Sequence, residues 1–220
     1  MMKLFWSPRS PFVRKVMIVL HEKAMLDQVE LVRSLVAVTL PPNPDVLQYN
    51  PLGKIPVLVL DDNQSLVDSR VICEHLDHLS DPRLIPVDPQ QRLRQLRWQA
   101  LADGLTDILL IWRTELTRET QPWQAVTDGW RTKVTHTLML FEKEAADLRD
   151  TPLGIGQISL IAALGQLDFR WPDCDWRDHF PALKQLESNW SKRPSVTATT
   201  IVDDQDSGGG DLTAGQLTFS

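Results

Sequence analysis

The feature that most constrains this 220-residue chain is a change of hydrophobic period near Asp88-Pro89. Before it, short apolar runs alternate with single helical patterns. Residues 3–6 form an apolar strand, broken by Ser7-Pro8-Arg9. Ser10 then stands at an N-cap with Pro11 at the first helical position, and Phe12, Val13, Val16, Met17, Val19 and Leu20 follow at helical spacing, so 11–23 is a helix. A strand is expected at 29–36. Proline-rich loops follow around 41–44 and 50–53, then a β-branched run at 55–60. The turn 61–64 leads into a hairpin strand at 65–67. Asp68 or Ser69 caps a helix running to about residue 79. The order is β-α-β followed by β-β-α.

After Asp88-Pro89 the pattern is wholly helical. Leu93, Leu96, Leu101, Leu105, Ile108 and Leu109 mark one long helix. Trp123, Val126, Trp130, Val134, Leu138, Phe141, Ala145 and Leu148 step by three or four residues and predict a second, continuous over 123–148. Residues 158–169 are apolar on nearly every face, which predicts a helix through the middle of a bundle. Pro181 opens a last helix carrying Leu183, Leu186 and Trp190. Seven of the eight tryptophans lie beyond residue 90, where they can fill gaps between helices. The predicted division is an α/β domain at 1–81, a linker at 82–87, an all-α domain at 88–202 and a flexible acidic tail at 203–220.

Charge and cysteine usage narrow the function classes. The net charge of -6 comes mostly from the tail, where Asp203, Asp204, Asp206 and Asp211 face no basic residue. The rest of the chain is nearly neutral, which argues against a nucleic-acid-binding surface. The two cysteines, Cys73 and Cys174, form neither a CxxC pair nor metal-ligand spacing, so no metal is expected and a reducing, cytoplasmic setting fits. Pro8, Pro11, Arg14 and Lys15 interrupt any signal-peptide core, and no stretch reaches the roughly 18–20 apolar residues of a membrane span.

Three local features carry candidate chemistry. Ser10-Pro11-Phe12 opens a helix whose unpaired N–H groups and dipole suit an anion such as a thiolate. Lowering a thiol pKa by two units takes about 2.7 kcal/mol, within reach of a hydroxyl hydrogen bond to a charged group at roughly 1.5–3 kcal/mol together with the helix terminus. The bland reading is that Ser10 only caps its helix. In Gly53-Lys54-Ile55-Pro56-Val57 a proline interrupts an apolar run, as an edge proline or a cis bond. A cis bond would turn the Val57 backbone outward to pair with a peptide ligand. Asp68-Ser69 opens a helix that could receive a carboxylate and an ammonium, or could be a plain cap.

Together, Ser-Pro-Phe-Val-Arg-Lys-Val at 10–16, Asn-Pro-Leu-Gly-Lys-Ile-Pro-Val-Leu at 50–58 and Asp-Ser at 68–69 resemble the glutathione S-transferase family, in the bacterial group with serine in the Ser-Pro-Phe motif. Phe180-Pro181-Ala182-Leu183 and Arg193-Pro194-Ser195 resemble that family's last helix and its exit. The resemblance covers residues 2–200. It implies a thioredoxin-like domain followed by an all-α domain, a homodimer, and glutathione as co-substrate with no covalently bound cofactor. By position Ser10 matches the residue that contacts the sulfur, with Ser7 as a rival hydroxyl. Ile55-Pro56 matches a cis-proline exposing Val57 to the cysteinyl part, Asp68 and Ser69 match the pair holding the γ-glutamyl end, and Lys54 lies near the glycine carboxylate. Phe12, Trp112 and Arg113 are the candidates for the second-substrate pocket. The implied chemistry is attack of the thiolate on an electrophile or disulfide. The alternative is a non-catalytic binding protein of the same fold, of the stress-protein type. One departure stands out. The family's Ser/Thr-x-x-Asp cap is replaced by Gly154-Ile155-Gly156-Gln157, for which a loss of up to about 1 kcal/mol is expected.

Overall fold

The computed structural model describes residues 1–38, 40–203, 214, 215 and 217–219. The first part is a four-stranded sheet. β1 (Met2–Trp6) is central and pairs in parallel with β2 (Val29–Arg33) and antiparallel with β3 (Val57–Val59), whose other edge carries β4 (Ser65–Leu66). Strand side chains alternate between faces. Leu4 and Leu58 therefore meet Val16, Val19 and Leu20 of α1 (Pro11–Glu22), while Phe5, Val57 and Val59 on the other face pack on Val46 of α2 (Pro44–Leu47) and on Tyr49. α2 lies where a loop was expected. It is one turn long, opened by Pro44 and capped by the Asn43 side chain. α3 (Ser69–Leu79) covers the same face as α1 with Ile72, Cys73 and Leu76.

The helical part begins with α4 (Pro89–Leu116), capped by the Asp88 carboxylate, which accepts from the Gln91 amide at 2.9 Å. The expected single helix over 123–148 is two, α5 (Gln124–Lys143) and α6 (Ala145–Asp150), interrupted at Glu144. The Glu144 carboxylate accepts from both Arg97 nitrogens at 2.8 Å and from Trp98 Nε1 at 2.7 Å, which ties this break to α4. α7 (Ile155–Arg170) is buried on nearly every face and packs on both α4 and α1. α8 (Trp176–His179), α9 (Pro181–Trp190) and α10 (Pro194–Ala198) complete the second part. Trp98, Trp112, Trp171 and Trp176 fill the interior of this bundle. No helix among the described residues is long and apolar enough to cross a membrane.

The glycine-for-cap replacement at 154–157 has a packing reason. A Cβ on Gly154 would lie 2.6 Å from the Leu84 carbonyl oxygen, and one on Gly156 would lie 2.6 Å from Trp98 Cβ. Side-chain-free residues are what let α7 approach α4 so closely. The helix start is still tied down. Gln157 Oε1 accepts from the Gly154 amide at 3.0 Å, and Gln157 Nε2 reaches the carbonyls of Leu148, Thr151 and Pro152. The expected weakening of the second domain thus gives way to a different anchor.

The chain end corrects the expected tail. Leu217 and Phe219, at 0% and 4% exposure, belong to the helical core. The Phe219 amide donates to Asp175 at 2.9 Å, and the Ala214 amide to the Arg170 carbonyl. Two apolar side chains after a Gly/Asp run are enough to dock an end that composition alone marks as a tail. The flexibility expected for 204–213 concerns positions outside the described residues.

Candidate functional site

The strand register brings the three sequence motifs to one edge of the sheet. Phe5 pairs with Val57 and Leu58 pairs with Leu66. The exit of β1, the entry of β3 and the exit of β4 are therefore neighbours. Those three points lead to or from Ser10, Ile55-Pro56 and Asp68-Ser69.

At the first, Ser10 Oγ accepts from the Val13 amide at 3.3 Å, a long capping bond at the N-terminus of α1. Among the described residues its hydroxyl proton makes no hydrogen bond, and the side chain is partly exposed. Ser7 is more buried, and its Oγ accepts from the Arg9 amide at 3.4 Å. At the second, the Ile55-Pro56 bond is cis. Val57 does not turn outward as expected. It is fully buried and paired with Phe5, and the backbone without a ladder partner belongs to the half-buried Ile55. The loop before it is fixed by Asn50, a residue sequence reasoning read only as a turn marker. Asn50 Nδ2 donates to the Lys54 carbonyl at 2.7 Å and Oδ1 accepts from the Leu52 amide at 3.0 Å. Gly53 supplies the positive φ of 62° that this tight turn requires. The Lys54 side chain is exposed.

At the third point, Asp68 Oδ1 caps α3 by accepting from the Arg70 amide at 2.8 Å, and Oδ2 pairs with the Arg70 guanidinium at 3.2 Å. Burial works against its charge, but the two Arg70 interactions outweigh it and hold the carboxyl below its usual range. Ser69 is buried, and its hydroxyl has no hydrogen-bond partner among the described residues. An unmatched donor beside an exposed carboxylate at a helix N-terminus can take a carboxylate and an ammonium together.

Behind this edge lies an ion pair that sequence spacing could not show. Lys15 Nζ, buried on α1, reaches both oxygens of Asp103 on α4 at 2.8 Å, and Arg70 Nε stands 3.9 Å from Asp103. Burial pushes the Asp103 carboxyl upward, against the pull of Lys15 and Arg70. Burial likewise raises Asp107, one turn on, with Lys54 opposing.

Of the three second-substrate candidates, Phe12 is half-buried with Lys15 Nζ 5.7 Å from its ring centre, and Arg113 is half-buried. Trp112 is not available. It is 2% exposed, and its ring lies 5.4 Å from that of Trp171 within the helical core. Adjacent helical residues point about 100° apart, so Trp112 and Arg113 cannot both face a cleft.

Comparison with known proteins decides the family. Residues 9–79 match the family model for the glutathione S-transferase N-terminal domain. Over 204 residues the chain is 34% identical to the uncharacterized GST-like protein YibF of Escherichia coli K12, covering 90% of this chain and 98% of that protein. The chain belongs to the glutathione S-transferase family. A glutathione transferase family member from Pseudomonas fluorescens Pf-5, solved with bound glutathione, is 42% identical and superposes with a TM-score of 0.88, covering 92% of this chain and all of that one. A structure of a family member from the same organism with bound S-(propanoic acid)-glutathione gives 41% identity and a TM-score of 0.84 over the same shares. The fold is accordingly that of the glutathione S-transferases, a thioredoxin-like domain followed by a helical one. In this family member both described cysteines are free, and burial pushes Cys73 and Cys174 each up to about 12. Neither offers a thiolate near neutral pH.

Proposed function

We propose that this transferase-family chain binds glutathione at the shared sheet edge and activates its thiol for attack on an electrophile or a disulfide, as a member of the group with serine in the Ser-Pro-Phe motif. The observation that carries the reading is the convergence of three unfilled polar positions. These are the Ser10 hydroxyl, the Ile55 backbone and the Ser69 hydroxyl beside Asp68. Their order suits one extended tripeptide. The γ-glutamyl carboxylate meets Ser69 and the α3 terminus, its ammonium meets Asp68, the cysteinyl backbone pairs with Ile55, and the sulfur lies at Ser10 with the glycine carboxylate toward Lys54. Val57 supports the strand under Ile55. Ser10 then donates to the sulfur and favours thiolate, without becoming a nucleophile itself. The relatives bound to glutathione and to a glutathione thioether support this assignment. The homodimer implied by the resemblance and the cytoplasmic setting that the cysteine usage fits belong to the same proposal.

The test is retention on glutathione-agarose with elution by free glutathione, together with thermal unfolding. At a tenfold excess of ligand over Kd the fold gains about 1.4 kcal/mol. Neither retention nor a shift in melting temperature would leave the non-catalytic reading in its place. For the chemistry, Ser10→Ala raises the pKa of the bound thiol and lowers the rate toward an aryl halide by roughly tenfold to a hundredfold, from a hydrogen bond to a charged group of about 1.5–3 kcal/mol. An unchanged rate moves the sulfur contact to Ser7.

A further inference from the structure

Arg14 and Lys15 leave α1 on different sides, since adjacent helical residues point about 100° apart. Lys15 meets Asp103 behind the sheet edge. Arg14 instead lines a cavity of about 400 Å³ between α1, α7, α9 and α10. Neither Ser10, Ile55 nor Asp68-Ser69 borders it. Its walls include Ile161, Phe169, Trp190 and Val196, an apolar setting of the kind that holds small ligands. Most of its polar groups are already matched. The hydroxyls of Ser191, Thr197 and Thr200 donate to backbone carbonyls. Asp168 accepts from two Arg177 nitrogens at 2.8 and 2.7 Å and from Trp176 Nε1 at 2.8 Å.

Two groups keep unmet capacity. Arg14 Nη1 donates to the Ile161 carbonyl at 3.5 Å, its single hydrogen bond among the described residues, and its Nε is buried without a partner. Glu187 meets Arg177 at 3.3 Å through Oε2, which leaves Oε1 open among the described residues. Arg14 and Glu187 attract each other across the cavity, yet they form no ion pair. Each is held back by its own anchor. Arg14 Nη1 fills the space above Gly165, where a Cβ would overlap it, and Arg177 holds Glu187. A guanidinium and a carboxylate kept apart in one apolar cavity are complementary to the two charges of a single zwitterion.

We infer that this cavity binds an α-amino acid with a bulky apolar side chain, its carboxylate on Arg14, its ammonium on Glu187 and its side chain against Ile161, Phe169, Trp190 and Val196. The inference goes beyond the proposed function and does not rest on it. Burial lowers the Arg14 pKa, with Asp168 and Glu187 opposing, so the guanidinium is already partly dry before a ligand arrives. A charge-assisted bond to a carboxylate is stronger in such a place than in water. Both ligand charges are needed. A carboxylate alone would face Glu187 unneutralised, and an ammonium alone would leave Arg14 unmet and be repelled by it.

The test is calorimetric titration of L-phenylalanine into the whole chain with S-methylglutathione in excess. The thioether occupies the proposed glutathione site, whose Asp68-Ser69 end could otherwise take an amino acid itself. Hydrocinnamate, which has the carboxylate alone, and phenethylamine, which has the ammonium alone, are titrated in the same way. L-Phenylalanine is expected to bind in the millimolar range or tighter, and roughly tenfold or more tighter than either analogue. Arg14→Gln and Glu187→Gln should each remove that advantage, and Gly165→Ala should do so by displacing the Arg14 guanidinium without changing any charge. Melting curves report whether each variant is folded, and the three-ligand comparison on the wild-type chain decides even where a variant is not. No binding of L-phenylalanine, equal binding of hydrocinnamate or phenethylamine, or an advantage that survives in folded Glu187→Gln overturns the inference. Failure of S-methylglutathione to bind counts against the proposed function alone, since Arg14→Gln and Glu187→Gln still judge the cavity.

Discussion

The two ends of α1 each bury a lysine against an aspartate, and they do so for different ends. Near the C-terminal end, Lys23 Nζ meets Asp77 Oδ1 at 3.1 Å and also the carbonyls of Asp77, Ser80 and Pro82. Asp77 in turn accepts from the amides of Leu84 and Ile85 and pairs with Arg83. Every partner lies on α1, on α3 or in the connection between the domains. Nearer the N-terminal end, Lys15 reaches across to Asp103 of α4, beside Arg70 and Asp68. The first pair is a closed knot that holds the connection in place. The second joins the candidate glutathione site to the helical domain.

Asp77→Ala is expected to have the largest effect on stability. It strands a fully buried ammonium and two backbone amides, so a loss near the upper end of about 3–5 kcal/mol should appear in denaturant unfolding. Glutathione affinity of the folded fraction should not change. Asp103→Ala should lie toward the lower end of about 3–5 kcal/mol, because fewer groups depend on it. It should also weaken glutathione binding, since Arg70 loses its second carboxylate. If both variants leave the affinity alone, the two pairs do the same work and the distinction between them fails.

A smaller effect separates cap from catalyst at the N-terminal end. Ser10→Ala removes the bond to the Val13 amide and should cost about 1 kcal/mol in urea unfolding, while Ser10→Asn keeps most of that stability and still loses thiol activation. The smallest effect concerns Glu22, the last residue of α1, which pairs with Arg193. Burial works against its charge, but Arg193 and Ser195 hold its carboxyl below the ordinary 4.5. A value depressed in the folded state means that the contribution is complete above pH 4.5 and fades as pH falls through the lowered value. The melting temperature of Glu22→Gln should therefore differ from that of the wild type at neutral pH and converge on it in acid.

The same contrast explains what could be read in the chain itself. Ser10, Asp68 and Asp88 each cap a helix three or fewer residues away, so their roles follow from neighbouring letters. The alternating strands and the long periodic helices were legible for the same reason. What escaped was written by residues far apart. Glu142 of α5 caps α9 by accepting from the Ala182 and Leu183 amides, both at 2.8 Å, a helix whose own leading residue, Phe180, has no such group. The break at Glu144 answers to Arg97 and Trp98. Trp112, assigned to a cleft by position on its helix, is claimed by Trp171, fifty-nine positions on. Within the candidate site, the motifs lie beside one another, but that Val57 is paired with Phe5 while Ile55 stands before the ladder depends on where the ladder begins, which the motif does not encode.

One consequence of the packing reaches beyond this molecule. Ile155, Ile158 and Ile161 of α7, with Val196 of α10, sit in the same apolar cluster as β1, α1 and α3. The interior of the first part therefore does not end where α3 ends, since α7 and α10 contribute to it. A chimera that joins residues 1–81 of this chain to the helical half of a relative would bring together two surfaces shaped for other partners. The transplantable unit includes the inward face of α7, and a graft should be cut around it.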